Sequence, residues 1–330
     1  MKEQFKKQLS FVLKYLIGTV LLVWVLARID RSQMVETILS ISWQTLSLLL
    51  FIAILNILTQ YFRWRYLVEN HSNHYASKDL IPSFFAGFAF RLLIPGGHAE
   101  ITKIFLLPGK KGGKVVAFGI EKFFQTYIKI VLVLMALAFQ FSEYRFLWIF
   151  VLLGTAAYFF MPLIFKLNIL KRFQEKEINY NRIFLRTLIY SMTVFFLLIL
   201  QYYILLNDSH SIGFLETALT SIFIWGAGLI PISVSGLGVR ENLAAYILTQ
   251  YQIPAYAAVG TSLLIFFINA IIPALVGSIY IIRRRADLKD AKGTIKSVTQ
   301  SIYNSGKERM NGKKRIKQPP ETGAPIENLN

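Results

Sequence analysis

The chain has 330 residues and a net charge of +18, and 55% of its residues are hydrophobic whereas only 16% are charged. Soluble domains carry about 25% charged residues, so the composition excludes an ordinary soluble enzyme, a disordered chain and a small disulfide-rich module. The sequence has no cysteine, which excludes disulfides, thiolate nucleophiles and cysteine-ligated metals. The excess of basic residues agrees with a membrane protein, because Lys and Arg collect on the cytoplasmic side.

Six apolar runs are long enough to cross a bilayer, whose hydrocarbon core of roughly 30 Å needs about 20 helical residues. They comprise residues 11–27, 45–62, 115–139, 146–165, 188–206 and 257–282. Residues 25–27 form an acceptable signal-peptide cleavage site, but a retained first helix is favoured because it gives an even number of spans.

Two further apolar segments are interrupted by Pro and Gly. They comprise residues 80–95 and residues 218–231, the second of which continues to residue 248. We predict that each segment is a re-entrant or broken helix pair that returns to the side from which it entered. The predicted fold is an all-α polytopic membrane protein with about six full transmembrane helices and two re-entrant or broken helix pairs in an inverted-repeat-like arrangement.

The distribution of Lys and Arg predicts the orientation and the domain organisation. Residues 1–15 contain four lysines and residues 283–330 contain twelve basic residues, whereas residues 207–213 contain none. Both termini are therefore expected in the cytoplasm. Residues 1–285 form the predicted transmembrane domain, and residues 286–330 form a basic tail expected to be disordered and to lie on anionic lipid headgroups. Nucleic acid is not an expected partner.

The first interrupted segment ends in a turn with candidate anion-binding groups. Pro95 ends a helix, and Gly96 and Gly97 allow a tight reversal with exposed backbone amides, followed by Glu100 and Lys103. Backbone amides next to a helix N-terminus form an anion site. The alternative is a plain loop between two helices, with Glu100 as an acid in the first turn of the second helix.

The second interrupted segment repeats this pattern after Pro231. Its candidate residues are Ser233, Ser235, Gly236, Gly238, Arg240 and Glu241. The alternative is a loop in which Arg240 extends to the membrane interface. Interrupted segments in corresponding halves of a chain indicate a transporter binding site at the interface of two repeats, which favours the functional interpretation.

A polar stripe on the span at residues 115–139 supplies the third group of candidates. Glu121, Gln125 and Lys129 recur at intervals of four and share one helix face, and Lys122 lies beside them. Such a stripe must face protein or a water-filled cavity, because lipid cannot satisfy it. The alternative places Glu121 and Lys122 near the cytoplasmic interface.

Other polar residues give weaker signals. In the second span Asn56, Gln60 and Arg63 form a stripe that we assign to hydrogen bonding between helices, and Arg91 is a further charge inside an apolar segment. His71 and His74 have the spacing of metal ligands but no supporting carboxylates, so no metal or cofactor is predicted. The sequence has no Walker loop, dinucleotide fingerprint or Ser-His-Asp arrangement.

Two motifs carry a resemblance to a known family. The first combines Arg63-Trp64, residues 84–90, Pro95-Gly96-Gly97 with Glu100 and Lys103, and residues 117–122; the second is residues 231–241, read as P-x-x-x-x-G-L-G-V-R-E. The sequence resembles the lysylphosphatidylglycerol synthase transmembrane-region family, also called the flippase-like membrane domain. The family commonly has Arg where this chain has Lys103 and Lys122.

The resemblance implies a multi-pass protein of the bacterial inner membrane, with a lipid-binding cavity between two sets of re-entrant helices. In bifunctional relatives this region translocates aminoacylated phospholipid, and a separate soluble domain attaches the amino acid. No such soluble domain is expected in this chain, so we predict a lipid transporter of the flippase-like kind rather than an enzyme.

We therefore predict binding and translocation of a phospholipid or a lipid-linked anionic headgroup. Backbone amides of Gly96, Gly97, Gly236 and Gly238 would contact phosphate, Arg240 and Lys129 would supply counter-charge, and Glu100, Glu121 and Glu241 would position those cations or contact an amine. One alternative is a non-transporting membrane subunit of a separately encoded lipid-modifying or glycosyl-transferring enzyme. Another is an integral membrane transferase acting on a lipid headgroup. A homo-oligomer is compatible with the sequence.

Overall fold

The computed structural model describes residues 16–73, 75–93, 97–165, 178–229 and 233–284. These residues fold into helices and connecting turns, without a β-strand in the described ranges. The prediction of an all-α fold is confirmed. The predicted basic tail, residues 286–330, lies outside the described residues, as does Gly96.

Eleven α-helices are named here in chain order. They are α1 Leu16–Arg28, α2 Arg31–Leu39, α3 Trp43–His71, α4 Ser77–Leu93, α5 Gly112–Gln140, α6 Leu147–Phe165, α7 Tyr180–Asn207, α8 Phe214–Gly226, α9 Val239–Leu248, α10 Ala255–Phe266 and α11 Ile272–Arg283. A π-helical turn, Phe267–Ile271, joins α10 to α11.

Within the described ranges, four helical stretches are long and apolar enough to cross a membrane. They are α3, α5, α7 and the continuous stretch Ala255–Arg283 formed by α10, the π turn and α11. Four of the six predicted spans lie inside them. The other two coincide with α1 and α6, which are apolar but shorter. Helix α6 exposes large apolar side chains such as Leu152 and Phe159, as expected for a surface that faces lipid.

The first interrupted segment is a hairpin. After α4, the chain returns as a 3₁₀-helical segment, Gly97–Leu106, which packs against α4. The Ser83 hydroxyl donates to the Lys103 carbonyl over 2.8 Å, and a Cβ on Gly87 would lie 2.9 Å from Cδ of Lys103. These contacts show that the two arms run side by side in opposite directions, so the predicted reversal is present.

The second interrupted segment reverses over several short turns. Helix α8 continues into a 3₁₀ turn, Ala227–Leu229, and a second 3₁₀ turn, Val234–Gly236, precedes α9. Helix α1 covers this reversal, because a Cβ on Gly238 would lie 2.5 Å from the Gly18 carbonyl oxygen. Gly238 also has a φ of +80°, so both the backbone conformation and the close contact require glycine.

Two large apolar clusters form most of the core among the described residues. The larger one includes Trp64, Phe88, Phe124 and Phe184 and joins α3, α4, α5 and α7. The second one includes Leu49, Tyr202, Ile224 and Leu248 and joins α3, α7, α8 and α9 with the α10–α11 stretch. Because α3 and α7 contribute to both clusters, they position the two interrupted segments around one interior region.

Candidate functional site

A network of buried charges joins the first hairpin to α3 and α5. Lys103 Nζ lies 2.6 Å from Glu121 Oε2 and 3.2 Å from Glu100 Oε1. Arg63 Nη2 lies 3.5 Å from Glu121 Oε1, and Lys122 pairs with the second oxygen of Glu100. We call these five residues the acidic-bridge cluster, because its two carboxylates each connect two cations.

Aromatic rings and polar groups complete the surroundings of this cluster. Lys103 Nζ lies 3.9 Å from the centroid of the Trp64 ring, a favourable cation–π distance. Arg63 Nη1 donates to Ser191 Oγ over 3.0 Å, and Lys122 Nζ donates to Gln125 Oε1 over 3.0 Å. Lys103 is 1% exposed, so its charge is balanced by protein groups rather than by water.

A cavity lies beside the acidic-bridge cluster. It holds about 610 Å³ of empty space, counting its open part, and its walls come from α3, α4, α5, α7, α8 and the π turn. The lining residues are Asn56, Gln60, Arg63, Phe88, Arg91, Gln125, Lys129, Val194, Phe195, Leu198, Trp225 and Asn269. Its walls combine apolar and polar surfaces.

The charged side chains that line this cavity are all cations. They are Arg63, Arg91 and Lys129. In the described part of the chain Lys129 forms no hydrogen bond or ion pair, and Arg91 makes a cation–π contact with Phe88, 4.8 Å from its ring centroid. A Cβ on Gly228 would lie 3.6 Å from Lys129 Nζ, so the ammonium lies at the end of α8. The cavity is therefore a positively charged chamber between the two interrupted segments.

A second buried ion pair lies at the start of α9. Arg240 Nη2 is 3.3 Å from Glu241 Oε1, and the Gly238 amide donates to Glu241 Oε2 over 2.6 Å. The Arg240 guanidinium lies 4.1 Å from the centroid of the Phe266 ring. Ser262 Oγ also donates to Glu241, over 3.4 Å. Both members of this pair are thus partnered within the protein.

Amide side chains bring further polarity into the cavity wall. Asn56 Nδ2 donates to the Val194 carbonyl over 2.9 Å, and Gln60 Nε2 donates to Asn56 Oδ1 over 2.6 Å. On the opposite wall Asn269 Nδ2 donates to Gln201 Oε1 over 2.5 Å. Asn269 lies in the π turn, a backbone irregularity that is frequent at functional sites.

The structure brings part of the predicted site together. Glu100, Lys103, Glu121 and Lys122 form one cluster with Arg63, and Lys129 lines the adjacent cavity. Gly97 begins the 3₁₀ segment. The three residues of the α5 stripe point the same way, because Gln125 also borders a smaller space of about 240 Å³ that Glu121 and Lys103 line.

The second predicted motif lies apart from the cavity lining. The residues of this motif are Ser233, Ser235, Gly236, Gly238, Arg240 and Glu241. Arg240 lies 5.4 Å from the centroid of the Trp225 ring, and it is Trp225 that lines the cavity. The Gly238 amide donates to Glu241 in this structure, and the buried hydroxyls of Ser233 and Ser235 lack a partner among the described residues.

Sequence reasoning gave too little weight to three residues of the site. The sequence predicts that Arg63 forms hydrogen bonds between helices, and it does so with Ser191 of α7, but it also pairs with Glu121 and lines the cavity. Arg91 is a charge inside an apolar segment, and such charges usually mark functional sites. In the structure it lines the cavity. Asn269 is a single polar residue in an apolar run, and no periodic pattern identifies it.

Comparison with known proteins agrees with these features. A family model described as the lysylphosphatidylglycerol synthase TM region matches residues 11–277. No curated protein sequence is significantly similar to the chain. The family match and the four long apolar helices identify a membrane protein. The chain belongs to the lysylphosphatidylglycerol synthase TM-region family.

Proposed function

We propose that the protein binds a phospholipid or another lipid with an anionic headgroup and transfers it across the bacterial inner membrane. In this proposal the protein is a transporter and not an enzyme. The observation that carries it is the cavity lined by Arg63, Arg91 and Lys129, with no carboxylate among the described residues of its lining. Cations held away from water favour an anion more strongly than exposed cations do.

The position of the cavity supports translocation as well as binding. The first hairpin contributes Arg91 and Phe88, and the end of the second interrupted segment lies beside Lys129. Substrate sites of many transporters lie between two interrupted segments that move against each other. The apolar side chains of Phe195 and Leu198 in the same wall are suited to the acyl chains of a lipid.

Lipid transfer is tested with the purified full chain in liposomes that contain a dye-labelled phosphatidylglycerol. A membrane-impermeant reductant bleaches dye in the outer leaflet alone unless the protein moves lipid between leaflets. We expect the protein to expose the inner-leaflet dye. Arg91→Gln should slow this exposure, whereas Arg65→Gln, which alters an exposed arginine of α3, should leave it unchanged.

The same assay separates the alternatives. If the protein binds lipid but does not expose the dye of the inner leaflet, it does not transport lipid. That result would favour the alternative of a non-transporting subunit of a separately encoded enzyme. A change in the mass of the lipid during incubation would instead indicate a headgroup transferase. Transfer at the rate of protein-free liposomes, without lipid binding, would contradict the proposal as a whole.

The proposed orientation places both termini in the cytoplasm. It rests on the basic residues near each terminus and on their absence from residues 207–213. A reporter inserted after Lys111 should give a cytoplasmic signal, and one within residues 207–213 should give an external signal. An external signal at Lys111 would mean that the first interrupted segment crosses the membrane completely.

A further inference from the structure

We infer that the cavity selects a lipid headgroup with two negative charges, such as a lipid-linked phosphomonoester, over zwitterionic and cationic headgroups. This inference rests on the proposed function and narrows it, because it names the charge of the headgroup. It comes from the charges in and around the cavity and from the partners that each of them has.

The charges in and around the cavity have a positive surplus. There are five cations and only two carboxylates. The cations are Arg63, Arg91, Lys103, Lys122 and Lys129, and the carboxylates are Glu100 and Glu121. The Arg240–Glu241 pair is neutral and does not reduce this surplus. Charges inside a membrane protein are costly without a counter-charge, so three positive charges remain to be balanced.

Two of the three surplus charges, those of Arg91 and Lys129, lie in the cavity, and the acidic-bridge cluster has the third, with three cations against two carboxylates. Lys103 and Lys122 each contact a carboxylate directly, which uses both oxygens of Glu100 and one of Glu121. Arg63 takes the remaining oxygen of Glu121 and leaves its Nε without a partner among the described residues. Arg91 and Lys129 have no direct carboxylate contact in that part of the chain, and both line the cavity.

Because Arg91 and Lys129 have no carboxylate contact among the described residues, the charge of a headgroup decides how well it fits the cavity. A phosphomonoester brings two negative charges to Arg91 and Lys129 and leaves a smaller surplus. A phosphodiester brings one. A headgroup with an added amine needs a carboxylate partner, but Glu100 and Glu121 are already bound by lysines and Arg63. An aminoacylated headgroup would therefore add positive charge to a cavity that already has an excess of it.

The walls of the cavity indicate a lipid as the source of the phosphate. Phe88, Phe195, Leu198 and Trp225 share the lining with the cations. Burial of apolar surface contributes roughly 25 cal/mol per Å², a gain that an acyl chain obtains and inorganic phosphate does not. The two sources are separable by experiment, since only one of them contacts these side chains.

The test measures lipid binding to the purified full chain by native mass spectrometry. The competing probes are phosphatidic acid, phosphatidylglycerol, phosphatidylethanolamine and lysylphosphatidylglycerol with identical acyl chains, at a pH where the phosphomonoester carries two charges. One additional charge-assisted hydrogen bond corresponds to about a tenfold to hundredfold change in affinity. We expect phosphatidic acid to bind about tenfold more tightly than phosphatidylglycerol, and lysylphosphatidylglycerol to bind least.

Substitutions of Lys129 test whether this residue produces the preference for phosphatidic acid over phosphatidylglycerol. Lys129→Gln should lower the affinity for phosphatidic acid about tenfold and reduce its preference over phosphatidylglycerol, whereas Lys129→Arg should keep the preference. Lys110→Gln removes an exposed lysine before α5 and should change neither value. If Lys129→Gln fails to fold, as judged by circular dichroism, Arg91→Gln provides the same comparison.

Three results would overturn the inference. Equal affinity for phosphatidic acid and phosphatidylglycerol would remove the selectivity for two charges, while transfer of labelled phosphatidylglycerol would still support the proposed function. Tight binding of lysylphosphatidylglycerol would contradict the argument from occupied carboxylates. Displacement of phosphatidic acid by an equal concentration of inorganic phosphate would show that the site takes the free anion. A preference for phosphatidic acid without lipid transfer would contradict the proposed function alone.

Discussion

The acidic-bridge cluster and the Arg240–Glu241 pair satisfy buried charge in different ways. In the cluster, Glu121 of α5 binds Arg63 of α3 and Lys103 of the first hairpin, so its partners come from distant parts of the sequence. Arg240 and Glu241 are neighbours in the chain, and the Gly238 amide of the same turn binds the carboxylate. One arrangement depends on tertiary packing and the other is mostly local.

The difference explains where the candidate site lies. A local pair with equal numbers of charges can be balanced without a ligand. A cluster assembled from several helices can keep an excess charge, because each helix contributes its residues separately. Here the cluster keeps one excess cation, and Arg91 and Lys129 add two more in the adjacent cavity. We therefore expect changes in the cluster to affect both stability and lipid binding, and changes in the local pair to affect mainly stability.

The largest expected effect comes from Glu121→Gln. This change leaves Arg63 and Lys103 with reduced counter-charge, and breaking a buried ion pair from one side costs about 3–5 kcal/mol. The free energy of unfolding in detergent should fall by that amount. The measurement is chemical denaturation followed by Trp fluorescence, with wild type and variant in the same detergent.

The control for this prediction is Glu69→Gln in α3. Glu69 pairs with Arg65 over 2.7 Å, and the Arg65 side chain is 45% exposed. Exposed pairs contribute about 0–1 kcal/mol, so this change should have a small effect. A similar loss of stability in both variants would contradict the assignment of Glu121 as the central carboxylate.

Gly277→Ala tests how the first hairpin is held in place. A Cβ on Gly277 would lie 2.0 Å from the Phe85 carbonyl oxygen of α4, so α4 and α11 would have to separate. Overpacking of this kind costs about 1–3 kcal/mol, and we expect a value near the upper end. Because α4 carries Arg91, the variant should also bind phosphatidic acid more weakly when compared at an equal folded fraction.

Gly119→Ala is the matched control for Gly277→Ala. Gly119 lies in α5, and a Cβ there would meet no other atom within 4 Å. Alanine favours helix by about 1 kcal/mol relative to glycine, so the control should be neutral or slightly stabilising. Equal losses in the two variants would show that the close contact with Phe85 does not determine the position of the hairpin.

A double-mutant comparison tests whether the local pair is structural. Arg240→Leu leaves the buried Glu241 with the Gly238 amide and Ser262 as partners, and the lost charge-assisted bond corresponds to about 2 kcal/mol. The double change Arg240→Leu with Glu241→Leu removes both charges and should be tolerated better than either single change.

Lipid affinity at equal folded fraction is the decisive measurement for this pair. Retention of wild-type affinity in the double variant would support a structural role. A tenfold to hundredfold loss of affinity in Arg240→Ala, with partial recovery in Arg240→Lys, would instead place Arg240 in the site as the sequence predicted. It would also contradict the comparison between the two charge clusters.

The sequence could predict the features that depend on neighbouring residues, but it could not predict those that depend on the packing of separate helices. Spacing of four residues placed Glu121, Gln125 and Lys129 on one face, and the structure agrees, because a helix repeats every 3.6 residues. The Pro and Gly residues predicted two reversals, and the described segments on either side of each one pack together, α4 with Gly97–Leu106 and α8 with α9. The Arg63–Glu121 contact could not be predicted, since it depends on how α3 packs against α5. The π turn at Asn269 likewise has no pattern in an otherwise apolar run.

The smallest expected effect concerns Asp208, a carboxylate just after α7 that serves as a reference outside both charge clusters. Its Oδ1 accepts hydrogen bonds from Thr45 Oγ1 over 2.6 Å and from Ser42 Oγ over 2.9 Å. Partial burial raises the pKa of Asp208, but the bonds from Thr45 and Ser42 outweigh it and lower the pKa below the ordinary value. The carboxylate therefore fixes the start of α3 against the end of α7.

Asp208→Asn should lower the free energy of unfolding by about 1 kcal/mol at neutral pH, because hydrogen bonds to a charged acceptor are stronger than those to a neutral one. The folded-state pKa is lowered, so the contribution of Asp208 is complete above its unfolded-state pKa of about 3.9 and disappears as the pH falls through the folded-state value. The difference between wild type and variant should shrink over that acidic range in denaturation experiments. A constant difference between wild type and Asp208→Asn at all pH values would mean that the shape of the side chain, and not its charge, connects α3 to α7.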